Sequence, residues 1–159
     1  MKIRAAVLDR MQQPAPYVRS KPVSVEMIEL GDPGPGECRV RITAAGLCHS
    51  DLSIINGDRP RVMPMVLGHE AAGIVDECGP GVTDLMRGDS VALVFVPSCG
   101  HCLPCQEGRP ALCEPGAAAN AAGTLVGGHR VLTRLDGQVL NHQVGVSCFA
   151  EYAVVNRGS

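Results

Sequence analysis

Four cysteines in one short stretch constrain this chain more than any other feature. Cys99, Cys102, Cys105 and Cys113 are spaced C-x2-C-x2-C-x7-C. Side chains crowded this closely need a shared partner. A tetrahedral zinc ion is one, because four thiolates close all its positions and hold a loop that has little core of its own. An iron–sulfur cluster uses similar opening pairs, but typically with a shorter last gap followed by Pro; here Glu114 follows Cys113. Disulfides would need an oxidising compartment. Inert buried thiols are the remaining reading. The spacing favours structural zinc in a lobe over residues 97–115, with His101 as a bystander.

The stretch sits in a chain of 159 residues, long enough for one domain with its own core. With 19 Gly, 12 Pro and no Trp, short strands and many turns are expected rather than long helices. The net charge of -2 and the scattered Arg and Lys form no basic stripe, which argues against a nucleic-acid partner. The apolar start around Ile3 is too short and too soon interrupted by charge for a signal peptide, and no run reaches membrane-spanning length. A cytoplasmic, reducing setting is expected, in which eight cysteines point to metal more than to disulfides.

Strands are expected at residues 3–8, 23–30, 39–43, near 74–75, at 91–96 and at 149–155. In the second of these, Glu26 and Glu29 should face water. The nearly continuous apolar run 91–96 fits a strand buried on both faces. Residues 31–36 contain glycines, but Pro33 and Pro35 interrupt them and no helix follows, so they read as a turn and not a phosphate loop. Leu52, Ile54 and Ile55, ended by Asn56-Gly57, fit one or two helical turns. Residues 11–21 and 58–66 are Pro-containing connections. Residues 115–146, rich in Gly and Ala, read as a long loop with a short hairpin. There is no fixed-period repeat and no βαβ alternation.

A second group of donors is less obvious. A lone Cys is usually a small buried hydrophobe and a lone His usually just hydrogen-bonded. Cys48, however, leads His49-Ser50-Asp51, and His69 stands between Gly68 and Glu70. One thiolate and one imidazole suit zinc, and a catalytic zinc keeps one position open beyond its three protein ligands. A carboxylate such as Asp51 or Glu70 would hold the tautomer of His69 from behind.

Taken in order, Gly46-Leu47-Cys48-His49-Ser50-Asp51, Gly68-His69-Glu70-x-x-Gly73 and the four-cysteine loop resemble the catalytic domain of the zinc-dependent medium-chain alcohol dehydrogenases. The resemblance covers nearly the whole chain, including the closing strand at 149–155. Gly123-Thr124-Leu125 and Phe149-Ala150-Glu151-Tyr152 are similar to the branch with class III and benzyl-alcohol-type enzymes. It implies a mainly β fold: a GroES-like, strongly bent β-barrel with a few short helices and a zinc-binding lobe. In the family a Rossmann coenzyme domain follows; residues 1–159 contain no strand–GxGxxG–helix unit.

The resemblance further implies two zinc ions and NAD or NADP in the intact enzyme. Cys48 and His69 match the first two catalytic-zinc ligands, and Cys99, Cys102, Cys105 and Cys113 the structural site. Asp51 matches the carboxylate supporting the histidine, and Glu70 the one behind the metal. Ser50 matches the hydroxyl that takes the alcohol proton, His49 a basic position near the coenzyme pyrophosphate, and Phe95 a wall of the substrate pocket. The implied reaction is oxidation of an alcohol to an aldehyde or ketone. Zinc lowers the pKa of the alcohol and nicotinamide takes the hydride.

Two departures stand out. The family's third catalytic ligand, a Cys, falls beyond residue 159; Cys148 does not match it and is expected to be buried, as are Cys38 and Cys78. A His that often ends the proton relay is replaced by Ser53, which cannot store the proton, so relay through water or another group is expected. The 159-residue piece is therefore expected to be inactive alone, monomeric, and to hold structural zinc fully but catalytic zinc weakly. The intact enzyme is expected to be a homo-oligomer. Two other readings stand beside this one: a non-enzymatic, zinc-stabilised GroES-like binding or assembly module, and, within the family, a thiol-adduct formaldehyde dehydrogenase or an aldehyde reductase.

Overall fold

A computed structural model describes residues 1–159. In chain order the elements are β1 (Lys2–Leu8), α1 (Tyr17–Ser20), β2 (Val23–Leu30), β3 (Glu37–Ala45), α2 (His49–Ile55), β4 (Met65–Val66), β5 (Ala71–Cys78), β6 (Ser90–Leu93), α3 (Leu103–Gln106), α4 (Glu114–Ala122), β7 (Leu132–Arg134), β8 (Val139–His142) and β9 (Tyr152–Asn156). A 3-10 turn, Pro110–Leu112, links α3 to α4. The chain is mainly β, as expected. No helix is long and apolar enough to cross a membrane.

The strands form a closed barrel in the order β1-β2-β7-β8-β4 and a separate sheet in the order β6-β5-β3-β9. β1 and β2 pair antiparallel over their length, from Lys2 opposite Glu29 to Leu8 opposite Val23. Alternation along β1 sends Ile3, Ala5 and Val7 inward, where they meet Ile28, Leu30, Val66, Leu132 and Leu140 in the barrel core. A second core, with Val40, Ala153 and Val155, lies on the sheet. The third cluster matters most for the site: Ile54 of α2 packs on Leu8, Met65 and Leu67, which pins the helix to the barrel.

Three expectations need correction. The run 91–96 is not a strand buried on both faces. β6 ends at Leu93, and Val94 and Phe95 are 56% and 51% exposed. β6 is an edge strand paired only with β5, and the chain leaves it towards the cysteine lobe. Glu26 does not face water freely: it shares the inward parity of Ile28 and is half-buried against Arg134, at 2.8 Å. Val25 and Met27 take the outer face instead. Residues 115–146 do contain the hairpin, β7–β8, but open with a helix, α4. Its Ala-rich sequence, Pro115 in the first turn and Gly123 as a left-handed cap at φ +69° are ordinary helix signals. Cys38 and Cys78 are directly opposed on β3 and β5 with sulfurs 3.7 Å apart; Cys38 is buried as expected, which pushes its thiol up to about 12, whereas Cys78 is only half-buried.

His142, at the end of β8, is 1% exposed. Its Nε2 accepts the Val131 N–H at 3.3 Å, and its Nδ1 has no partner. Burial, with His129 and Arg130 nearby, holds its pKa down to about 3, against 6.5 for a free imidazole. Below pH 6.5 the unfolded chain takes up a proton that the folded chain refuses, so stability falls as pH falls towards 3. The expected loss from this group between pH 7.5 and pH 5 is about 2 kcal/mol. Denaturant melts of wild type and His142→Gln at both pH values check it: the pH dependence of the variant should be shallower by that amount. Identical pH dependences would contradict it.

Candidate metal centres and active-site cavity

The lobe is built from polar backbone groups and sulfur. One donor atom from each of Cys99, Cys102, Cys105 and Cys113 lies within 4.8 Å of every other. Cys113 is fully buried and ties the lobe together, its Sγ accepting N–H bonds from Cys99 at 3.2 Å and Gly116 at 3.4 Å. Cys99 Sγ accepts the Cys102 N–H at 3.3 Å. Gly116 has no alternative: a Cβ there would stand 2.2 Å from the Pro97 carbonyl oxygen. The backbone N–H groups of His101 and Cys102 draw the Cys99 thiol down to about 6, whereas desolvation among the neighbouring sulfurs pushes Cys105 up to about 12. Four sulfurs this close cannot all carry charge unless a cation sits among them. The donor set fits tetrahedral zinc. His101 is turned away, its Nδ1–H donating to the Cys99 carbonyl at 2.7 Å.

The second cluster joins two segments. Cys48 caps the N-terminus of α2, and Asp51 in the first turn accepts the Cys48 N–H through Oδ2 at 3.1 Å. The other oxygen, Oδ1, faces His69 Nδ1 at 2.9 Å, with both residues buried. A carboxylate can only accept, so Nδ1 carries the proton and Nε2 keeps a free lone pair. That lone pair is what a metal needs. Cys48, His69 and Glu70 each offer a donor atom within 4.8 Å of the others, and Glu70 Oε1 lies 3.5 Å from His69 Nε2. The mixed sulfur, nitrogen and oxygen set also fits zinc.

Gly68 sets the direction of His69. Its φ is +101°, and a Cβ would meet the Phe149 backbone nitrogen at 2.4 Å. Gly68→Ala is expected to cost about 2–3 kcal/mol and to displace the imidazole. Thermal melts combined with a cobalt titration check this; an unchanged second metal equivalent would contradict it.

These donors open into a cavity of about 510 Å³ lined by 15 residues, among them Cys48, Ser50, His69, Glu70 and Phe95. Phe95 meets the His69 ring edge-to-face, with centroids 5.9 Å apart. Ser50 Oγ lies 3.4 Å from Cys48 Sγ. His49 is on the exposed side of the same turn and does not line the cavity. Ser53 is buried, and its hydroxyl donates to the His49 carbonyl at 3.1 Å. Cys148 is 1% exposed, its thiol pushed up to about 11 by burial.

Sequence reading missed Gln143, which is 1% exposed. Its Nε2 donates to Asp51 Oδ1 at 2.7 Å and its Oε1 accepts the Gly68 N–H, locking the supporting carboxylate to the His69 segment. It also missed Arg59 and Arg61 and the α4 wall of Ala117, Asn120 and Ala121. Only the polar run Asn141-His142-Gln143 hinted at the first of these.

Comparison with known proteins matches this arrangement. Residues 34–159 match the model for the alcohol dehydrogenase GroES-like domain, a span that contains both donor clusters. Alcohol dehydrogenase B of Mycobacterium tuberculosis is 44% identical over 142 residues, covering 88% of this chain and 37% of that protein. The solved structure of an alcohol dehydrogenase zinc-binding domain protein from Burkholderia ambifaria superposes with a TM-score of 0.84 at 34% identity, covering 99% of this chain and 40% of the other. Benzyl alcohol dehydrogenase from Acinetobacter calcoaceticus gives a TM-score of 0.80 at 31% identity, covering 98% and 39%. The chain thus spans about two-fifths of the length of these relatives. Fold, domain match and sequence agree, and the chain belongs to the alcohol dehydrogenase GroES-like domain family.

Proposed function

We propose that residues 1–159 form the catalytic, metal-holding domain of a zinc-dependent alcohol dehydrogenase, with the structural-zinc lobe at 97–115. The reaction is the interconversion of an alcohol with an aldehyde or ketone, using NAD or NADP. The observation that carries the reading is the Asp51–His69 pair, which aims a lone pair at Cys48 and Glu70 on the floor of a cavity. Cys99, Cys102, Cys105 and Cys113 hold the structural zinc; Cys48 and His69 hold the catalytic one. When bound, zinc supplies Lewis acidity there, and the coenzyme supplies the hydride acceptor.

The chain's own residues do the rest. Asp51 and Gln143 fix the imidazole, and Glu70 lies against its metal-facing nitrogen. Phe95 and the α4 wall flank the cavity and orient the carbon skeleton. Ser50 Oγ, beside Cys48, accepts the proton of the alcohol. The hydroxyl of Ser53 is spent on the His49 carbonyl, and Arg59 at 3.5 Å from Ser50 has no basic site, so the proton leaves through water. His49, exposed on the first turn of α2, meets the coenzyme phosphates. The protein works in the cytoplasm as a homo-oligomer, without nucleic-acid or membrane partners. A non-enzymatic binding module would need no donor cluster on the floor of a cavity.

The test is alcohol oxidation by the enzyme that contains this chain. Ser50→Ala is expected to lower kcat by about 100-fold or more while metal content stays unchanged. Unaltered kcat with benzyl alcohol would remove Ser50 from the reaction. No NAD- or NADP-linked turnover of any alcohol or aldehyde by the metal-loaded enzyme would remove the proposal.

A further inference from the structure

Two cations in the cavity have no counter-charge. Arg59 and Arg61 line it from the segment that follows α2. Arg59 Nη1 donates to Ser50 Oγ at 3.5 Å. Arg61 Nη1 donates to the Pro60 carbonyl at 3.0 Å, and its Nε–H is enclosed without a partner. Arg4, Arg39, Arg134 and Arg157 are paired with Glu151, Asp76, Glu26 and Asp84. Arg10, Arg19, Arg41 and Arg130 lack a carboxylate partner, as Arg59 and Arg61 do, but they stand outside the cavity. The acidic groups near the cavity arginines are engaged elsewhere. Glu70 is turned to His69, and Asp58 accepts from Asn56 Nδ2 at 2.7 Å.

A guanidinium presents a flat fork of donors that matches a carboxylate, and its attraction grows where apolar walls keep water away. Here the apolar lining is Ile54, which is buried, with Phe95, Ala117 and Ala121 around a mouth that is open to solvent. From this we infer that the cavity takes an alcohol or aldehyde whose carbon skeleton carries a carboxylate, gripped by Arg59 and Arg61. Its hydroxyl or carbonyl oxygen faces Cys48 and His69. Ser50, which touches both Cys48 and Arg59, marks the middle of that path. The inference rests on the reading of the cavity as the substrate site, and it names the substrate class.

The experiment is an NMR titration of the isotope-labelled 159-residue chain, in zinc, with para-hydroxymethylbenzoate and with benzyl alcohol as the neutral counterpart. The carboxylate should bind at least about tenfold more tightly, shifting the Ala117 and Ala121 amides and the Arg61 Nε–H. That preference should vanish in the Arg59→Gln/Arg61→Gln double variant. Arg59→Gln alone, at an exposed position, keeps the test open if the double variant does not fold; its preference should fall about threefold or more. Equal affinity for the two probes, or a preference that both variants retain, overturns the inference. Inorganic pyrophosphate is the competing probe: if it displaces para-hydroxymethylbenzoate more effectively than benzoate does, the arginines serve coenzyme phosphates and the inference fails. The same titration without zinc separates the two readings. A carboxylate preference that persists in the metal-free chain supports the arginine subsite on its own, whereas the dehydrogenase reading fails only if the metal-loaded enzyme turns over no alcohol or aldehyde.

Discussion

Cys113→Ser is expected to abolish the first metal equivalent and to melt the lobe while the barrel stays folded. Cys113 is the one lobe cysteine with no exposed surface, and two backbone N–H groups point at its sulfur. It joins the loop carrying Cys99 to the first turn of α4. Serine offers a harder, smaller donor that zinc takes poorly beside thiolates. The lobe has no apolar core to fall back on: none of the buried clusters includes a residue between 94 and 124. Metal binding is therefore its folding energy, and the expected loss for the lobe exceeds about 4 kcal/mol. Hydrogen exchange reads this directly. Amides of α3 and α4 should lose protection in the variant or after chelation, while those of β1 and β2 keep it. Because α4 is a wall of the cavity, the damage should reach ligand binding as well. Retained protection across α4 in a metal-free variant would show that the lobe does not depend on its ion.

His69→Ala is expected to remove the second metal equivalent and leave the first intact. The loss of affinity should be at least about 100-fold, since the imidazole is the only nitrogen donor in that cluster. Asp51→Asn gives a finer version of the same result. An amide NH₂ at that position can donate to Nδ1, which moves the imidazole proton to Nε2 and covers the lone pair aimed at Glu70. About 10–100-fold weaker binding is expected, with the fold unchanged. Isothermal titration with zinc or cobalt checks both. Equal affinities in wild type and Asp51→Asn would show that the carboxylate does not control the tautomer.

The legible part of this chain was its local chemistry. The four-cysteine loop announces itself because its donors are close in sequence and few partners satisfy such spacing. Cys48 and His69 were legible through their flanks: a capping Asp51 three residues on, and a glycine needed before the histidine. The strands were legible as short apolar runs between turns; their closure into a barrel was implied only by the family resemblance. What stayed hidden depends on distant placement. Gln143 reaches Asp51 because β8 runs parallel to β4, a pairing with no local signature. Arg59 and Arg61 sit in a Pro-containing connection whose path is set by neither period nor cap. α4 lies in a stretch whose Gly and Ala content resembles a loop, yet its Ala run, Pro115 and Gly123 are local helix signals. The run 91–96 misled for a different reason. Apolar residues that wall a cavity look the same in sequence as those that fill a core, and Phe95 is spent on the first task.

Cobalt titration of the 159-residue chain, followed by absorption, tests the two-centre claim most directly. The expected result is one tight equivalent with intense thiolate-to-cobalt charge transfer that disappears in Cys113→Ser. A second, weaker equivalent with little charge transfer should follow it and disappear in His69→Ala. A titration with no tight equivalent, or one in which neither substitution removes the equivalent assigned to it, would contradict the account.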